Sequence, residues 1–387
     1  MKNPFHFGTL VSGASFYDRA EKERELLRAV ENGANVLLYG PRRYGKSSLV
    51  ARVLEKLRAS GHPCIYFDMM KVDSVDAFLQ AYASAVLDLR GRASKSLESL
   101  SKFFRGLRPR FSVGDDGKPT VELDFSDPPT TRTLEDVLSL PEKAAENGKK
   151  IVVVFDEFQE IARLSAHLPL ERIFRSVIQR QKRVNYIYLG SKTHMIRRMF
   201  TEEARPFYQS AIPMLLEKPP QEESLAFLRD RFANCGIEVE DAALAAIVER
   251  SENIPYYLQA LAYEVFESAD ATGRKSVSPA DVADALEIAE RRSADTFENI
   301  VENLSETQRT LLTALANEPA AAFDAAYRRR HRMPNYATIA SALKVLVEKG
   351  LVESGRKSHR VANPFLAAWL REPPCTASVP HSTADTE

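Results

Sequence analysis

NVLLYGPRRYGKSSLV, residues 35–50, joins three signals in one segment. The apolar run 35–39 has the length and bounding residues of a buried strand, and residues 46–60 have helical periodicity ended by Gly61. Between them Gly40-Pro41-Arg42-Arg43-Tyr44-Gly45-Lys46-Ser47 fits G-x-x-x-x-G-K-[ST], the loop that cradles phosphates. The glycines let the backbone fold around an anion with its N–H groups inward, and the following helix presents its positive end. Lys46 adds a mobile charge for the β- and γ-phosphates, and Ser47 offers a hydroxyl to a divalent cation. Gly40, Pro41, Arg42, Arg43, Tyr44, Gly45, Lys46, Ser47 and Ser48 are the candidate nucleotide-binding residues, with ATP and Mg2+ as the expected ligands. The competing reading, an incidental glycine-rich turn, gives no reason for a strand before it and a helix after it.

A magnesium site needs a further oxygen, normally from the end of a neighbouring buried strand. Residues 151–157, IVVVFDE, supply it: five apolar residues, then Asp156 and Glu157 where the strand reaches the carboxyl edge of the sheet. Asp156 would hold the metal through water and Glu157 would polarise the attacking water, which favours hydrolysis over transfer to a bound acceptor. The alternative is that both acids merely cap the next helix. The strand 185–189 runs into Gly190-Ser191, so Ser191 is the candidate for sensing the γ-phosphate or orienting water, with Thr193 in reserve. A helix N-cap is the competing role for Ser191. Lys46, Glu157 and Ser191 form the expected catalytic set, and Ser47 and Asp156 the metal set. Arg197, Arg198 and Arg205 are candidates for an arginine finger toward a neighbouring subunit.

Working outward, residues 63–67 and 211–216 read as further strands, and the alternation of strand and helix predicts an α/β domain on a mainly parallel sheet. A polar, basic insert spans 90–131, with a hairpin expected at 110–113 and 120–125 around Gly114-Asp115-Asp116-Gly117. It carries Lys95, Lys102, Arg105, Arg108 and Arg110, a weak candidate for nucleic-acid contact. After Pro219-Pro220 the pattern is helical, with stretches at 222–235, 241–249, 255–269 and 279–291. The expected domains are 1–218 (core), 219–300 (helical lid), 301–372 (winged helix-turn-helix) and 373–387 (a disordered tail).

Beyond these patterns the sequence resembles a known family. The run Phe16-Tyr17-Asp18-Arg19 with Arg24-Glu25-Leu26, the loop GPRRYGKSSLV, the strand VVVFDEFQEI and the stretch YIYLGSKTHM together are similar to the archaeal-type ATPases, an AAA+/STAND-like branch of the ASCE P-loop NTPases. The resemblance spans about residues 12–370, and the double arginine after Gly40-Pro41 is typical of it. It implies a five-stranded core with the P-loop strand central, a helical lid, a C-terminal winged helix and a nucleotide-driven switch that is often a homo-oligomer. Two departures bear on its finer motifs. Gln209-Ser210 stands where relatives carry Gly-Arg, and Asn253-Ile254-Pro255 where the lid often shows Gly-x-Pro.

The C-terminal module has its own logic. Ser305 with Glu306 and Gln308 starts a helix to about residue 317, a second covers 320–330, and a third covers 336–349, with Ile339, Leu343 and Leu346 on one face and Gly350 as its stop. Residues 351–361 alternate as a small hairpin. If duplex DNA is the partner, Thr338, Ser341 and Lys344 would face the major groove, and Arg328, Arg329, Arg330, Arg332, Arg356, Lys357 and Arg360 would meet phosphates. Docking a protein partner is the other reading of such a module. With Lys+Arg and Asp+Glu equal at 53 each in 387 residues, no global field holds a polyanion. The three cysteines have no metal-ligand spacing, and no apolar run approaches the roughly 20 residues of a membrane span, so the expectation is a cytoplasmic protein without membrane contact.

Overall fold

The computed structural model of the chain describes residues 2–8, 19–89, 109–113, 119–123, 129–145, 150–164, 168–191, 193–319, 324–355 and 358–371. The chain forms two compact units, one of residues 10–218 and one of residues 1–9 with 219–387.

The first unit is built on β1 (Val36–Tyr39), β2 (Cys64–Asp68), β5 (Ile151–Asp156), β6 (Val184–Gly190) and β7 (Ile212–Leu215), in the order β2-β5-β6-β1-β7. All four pairings are parallel. The P-loop strand β1 therefore lies between β6 and β7, and β6 is central; the expected central place for β1 is corrected by one strand. Because strand side chains alternate, each strand feeds two layers. Val153 and Phe155 of β5 and Tyr186 and Tyr188 of β6 enter one aromatic core with Phe78, Tyr82 and Phe174. The Phe155 and Tyr186 rings stack 5.9 Å apart at 5°. Val152 and Val154, Ile187 and Leu189, and Val36 and Leu38 are fully buried on the opposite face. That two-sided burial explains the unbroken apolar runs.

β3 (Pro109–Val113) and β4 (Pro119–Leu123) pair antiparallel, as expected of the insert. Lys95, Lys102, Arg105 and Arg108 lie outside the described residues, as do 114–118 and 372–387.

The second unit holds helices Gln221–Ala233, Asp241–Arg250, Pro255–Thr272 and Pro279–Glu302. Two-residue strands β8 (Glu238–Val239) and β9 (Ser276–Val277) pair in parallel between them, too short for an alternation to register in the sequence. The last helix runs to Glu302, well beyond the expected 291, because Phe297 is buried and packs on Trp369, with ring centroids 5.9 Å apart. The winged-helix part follows: Glu306–Asn317, opened by a Ser305–Gln308 capping box, then Ala325–Arg330, Tyr336–Glu348, the hairpin β10 (Val352–Ser354) and β11 (His359–Val361), and a final helix Pro364–Arg371 that periodicity had not indicated. The chain's first residues, expected with the core, belong to this unit instead. Phe5 is fully buried against Phe227 and Phe232, and Asn3 Nδ2 donates to Tyr263 O (3.2 Å) and Glu267 Oε1 (2.7 Å).

Candidate functional site

β1 delivers the chain into the loop 40–45, and the helix Lys46–Ala59 carries it away. Gly40 has to be glycine: a Cβ there would stand 2.5 Å from Leu216 O, a backbone atom that cannot swing aside. Arg43 (φ 69°) and Gly45 (φ 87°) adopt left-handed backbone, the alternation that turns successive N–H groups into a concave anion nest. At Gly45 a side chain would project into open space. Lys46 is buried, and its Nζ donates to Gly40 O and Pro41 O, both at 2.7 Å, which holds the ammonium over the loop.

The two sequence segments meet across the sheet. Ser47 Oγ donates to Asp156 Oδ2 at 3.3 Å, although 109 positions separate them. Hydroxyl and carboxylate oxygen form a hard donor pair suited to a divalent cation of the magnesium type. Burial pushes the Asp156 carboxyl above its ordinary range, the hydrogen bond from Tyr66 pulls it down, and the nearby Glu157 charge raises it further. Among the described residues no group of three or more His, Cys, Asp or Glu could hold a metal ion.

Glu157 sits in left-handed backbone (φ 49°, ψ 45°) just before the short helix Phe158–Glu160. Ser191 meets it there. The Ser191 hydroxyl donates to Glu157 Oε2 at 2.8 Å and its backbone N–H donates to the same oxygen at 3.2 Å. Arg42 Nε of the loop reaches Ser191 Oγ at 3.4 Å, so a chain of polar contacts runs from the phosphate loop to the acid. The reserve candidate Thr193 begins the helix Thr193–Thr201.

The site contains three residues that sequence reasoning left without a role. Tyr66 of β2 donates its hydroxyl to Asp156 Oδ2. Gln159, 1% exposed, donates through Nε2 to Glu157 Oε2. Arg19, itself buried, donates to Tyr44 O (3.3 Å) and Glu217 O (2.7 Å), tying the loop to the end of this unit. All three stood in stretches already singled out, Arg19 before the P-loop strand, Tyr66 in the strand 63–67 and Gln159 in VVVFDEFQEI, but none had been given a role.

The arginine-finger candidates divide. Arg205 is bound to Glu171 at 2.6 Å and Arg198 to Glu202 at 2.5 Å, both within the chain, while Arg197 is exposed. In the winged-helix part Thr338, Ser341 and Lys344 share the exposed face of Tyr336–Glu348. Arg360 does not belong with the expected phosphate contacts. It is three-quarters buried and pairs with both Glu353 (2.5 Å) and Glu252. Arg330 pairs with Glu318 at 2.9 Å, Arg329 and Arg332 are exposed, and Arg356 and Lys357 lie outside the described residues.

A glycine-lysine loop before a helix, on a parallel sheet whose next strand but one ends in an acidic pair, defines a P-loop ATPase fold. The comparisons agree. The profile of an ATPase domain predominantly from Archaea matches residues 16–261, and that of a probable winged helix domain matches 295–372. The chain belongs to this archaeal-type ATPase family and carries a C-terminal winged helix. Among solved structures it is similar to the Walker-type ATPase PABY2304 of Pyrococcus abyssi, at 19% identity and TM-score 0.63 over 92% of this chain and 96% of that one. It is also similar to the ORC2 protein of Aeropyrum pernix in its ADPNP–ADP complexes, at 19% identity and TM-score 0.55 over 91% of each chain. At that identity the likeness is one of fold. No curated protein matches the chain. No helix among the described residues is long and apolar enough to cross a membrane.

Proposed function

We propose that the chain binds ATP with Mg2+ at residues 40–48, hydrolyses it, and uses the nucleotide state as a switch on its winged-helix unit. The observation that carries this reading is the 3.3 Å approach of Ser47 Oγ to Asp156 Oδ2, with the Lys46 ammonium on the same loop and Glu157 next along the chain. The loop N–H groups and Lys46 bind the β- and γ-phosphates and offset the charge that grows on the leaving oxygen. Ser47, and Asp156 through water, would hold a magnesium ion, which would supply neutralisation of the phosphate charge. Glu157 accepts the proton of a water aligned on the γ-phosphorus. The bond to the β–γ bridging oxygen breaks as the new P–O bond forms, leaving ADP and inorganic phosphate. Ser191 and Gln159 keep the Glu157 carboxylate aimed.

The partner we assign to the winged helix is duplex DNA, supported by the exposed face of Thr338, Ser341 and Lys344 beside exposed Arg329 and Arg332. A protein partner docked on the same face is the alternative, and homo-oligomerisation is part of the proposed switch, with Arg197 as the remaining candidate finger. The reading is tested by Glu157→Gln, which should abolish phosphate release and spare ATP binding. Lys46→Ala should cost about 2–4 kcal/mol in nucleotide affinity or turnover. If the parent releases no phosphate with or without DNA, the chain uses ATP only as a structural ligand.

A further inference from the structure

Tyr66 stands beside the Ser47–Asp156 pair as a third oxygen. In the parallel register of β2 and β5, Asp68 lies opposite Asp156, which puts Tyr66 one pleat earlier on the same face. Its chain neighbours Ile65 and Phe67 go into the aromatic core, whereas the Tyr66 ring stays 37% exposed on the other side. An exposed phenol is free to point at water. This one instead donates to Asp156 Oδ2, the oxygen that Ser47 also reaches. The second carboxylate oxygen, Oδ1, accepts from Glu157 N at 2.9 Å. Asp156 is therefore held from the phosphate helix, from its own strand end and from the neighbouring strand, and among the described residues Tyr66 adds a hydrogen bond from outside the two motifs.

We propose that Tyr66 is a positioning residue of the divalent-cation site. Its hydroxyl keeps Asp156 Oδ2 turned toward Ser47, so the nucleotide's cation meets a preformed pair of oxygens. The proposal rests on the reading of Ser47 and Asp156 as the metal pair. A carboxylate already held in one rotamer loses less freedom on coordination than a loose one, and partners of metal ligands commonly change metal affinity by one to two orders of magnitude. Phe in place of Tyr66 keeps the ring and removes only the hydroxyl.

The experiment titrates Mg2+ into the full chain in the presence of a fluorescent, non-hydrolysable ATP analogue, with a parallel arm in EDTA. For Tyr66→Phe the affinity in EDTA stays that of the parent, while the Mg2+ concentration for half-maximal tightening rises about tenfold. The melting temperature without nucleotide checks that the variant is folded. In an Asp156→Asn background, Tyr66→Phe adds nothing further, because its action passes through that carboxylate. An unchanged or lowered Mg2+ requirement for Tyr66→Phe overturns the proposal, as does a further rise in the Asp156→Asn background. A parent that binds no analogue at any Mg2+ concentration overturns the site reading beneath it, and that failure is visible without any variant.

Discussion

Ser191 places both its hydroxyl and its backbone N–H on a single oxygen of Glu157, at 2.8 and 3.2 Å. The strand end that sequence reading assigned to γ-phosphate sensing thus reaches the acid expected to activate water. Its Arg42 contact adds a link to the phosphate loop. Ser191→Ala removes the hydroxyl and leaves the backbone donor. Loss of one hydrogen bond to a charged group is worth about 1.5–3 kcal/mol, discounted here because the N–H remains. Phosphate release should fall about tenfold with nucleotide affinity unchanged, measured by steady-state turnover and by equilibrium binding. An equal fall in affinity would mean that Ser191 acts on the nucleotide and not through Glu157.

At the other end of the loop the constraint is steric. Gly40→Ala would bring a Cβ to 2.5 Å from Leu216 O, where β1 and the segment after β7 run side by side. Forcing backbone apart in a packed interior costs about 1–3 kcal/mol. The urea midpoint of the variant should drop accordingly, even without nucleotide. A Gly45→Ala variant meets no neighbouring atom but must hold φ at 87°, so it should lose less in crowding and more in the shape of the loop.

How far the site was legible depends on where its partners sit. The loop and the acidic strand each lie in one contiguous stretch, and periodicity plus residue type were enough to pair Ser47 with Asp156. Tyr66 and Gln159 were not legible, because their roles come from strand register and from a turn at Glu157 that no local pattern encodes. The strand order shows the same limit. Parallel strands of similar apolar character could be recognised one by one, but nothing in β1 says that it lies between β6 and β7 instead of at the centre. Phe5 and Asn3 likewise find their partners more than 200 positions away.

The Asp156 carboxyl predicts a dependence on pH. Burial, the largest cause, raises it above the ordinary range, so the folded chain holds that proton more tightly than the unfolded one. A raised acid destabilises the fold above its folded value and has no effect below the unfolded value, where both states are protonated. Asp156→Asn should therefore melt at a higher temperature than the parent near neutral pH without nucleotide. The gain should shrink as pH falls through the raised folded value and be gone below the ordinary carboxylate value of about 4. The same variant should need more Mg2+ than the parent for half-maximal tightening of nucleotide binding. Melting curves across pH check the first claim, and a gain that grows toward acid would contradict it.

Arg360 separates fold from recognition in the winged helix. As one more base on a basic hairpin it was a candidate phosphate contact, yet its guanidinium lies between Glu353 on the opposing strand and Glu252 of the turn before Pro255–Thr272. A guanidinium already engaged by two carboxylates does not neutralise a phosphate, and so displaces none of the counterions condensed on the polyanion. Arg360→Ala should leave the salt dependence of any DNA binding unchanged, whereas Arg329→Ala or Arg332→Ala should each reduce its logarithmic slope by about one. The loss at Arg360 should appear instead in stability. Two half-buried carboxylates would be left facing each other's charge, at a cost of about 1–2 kcal/mol in the unfolding of the C-terminal unit. A reduced salt slope for Arg360→Ala, with stability unchanged, would return this residue to the DNA face.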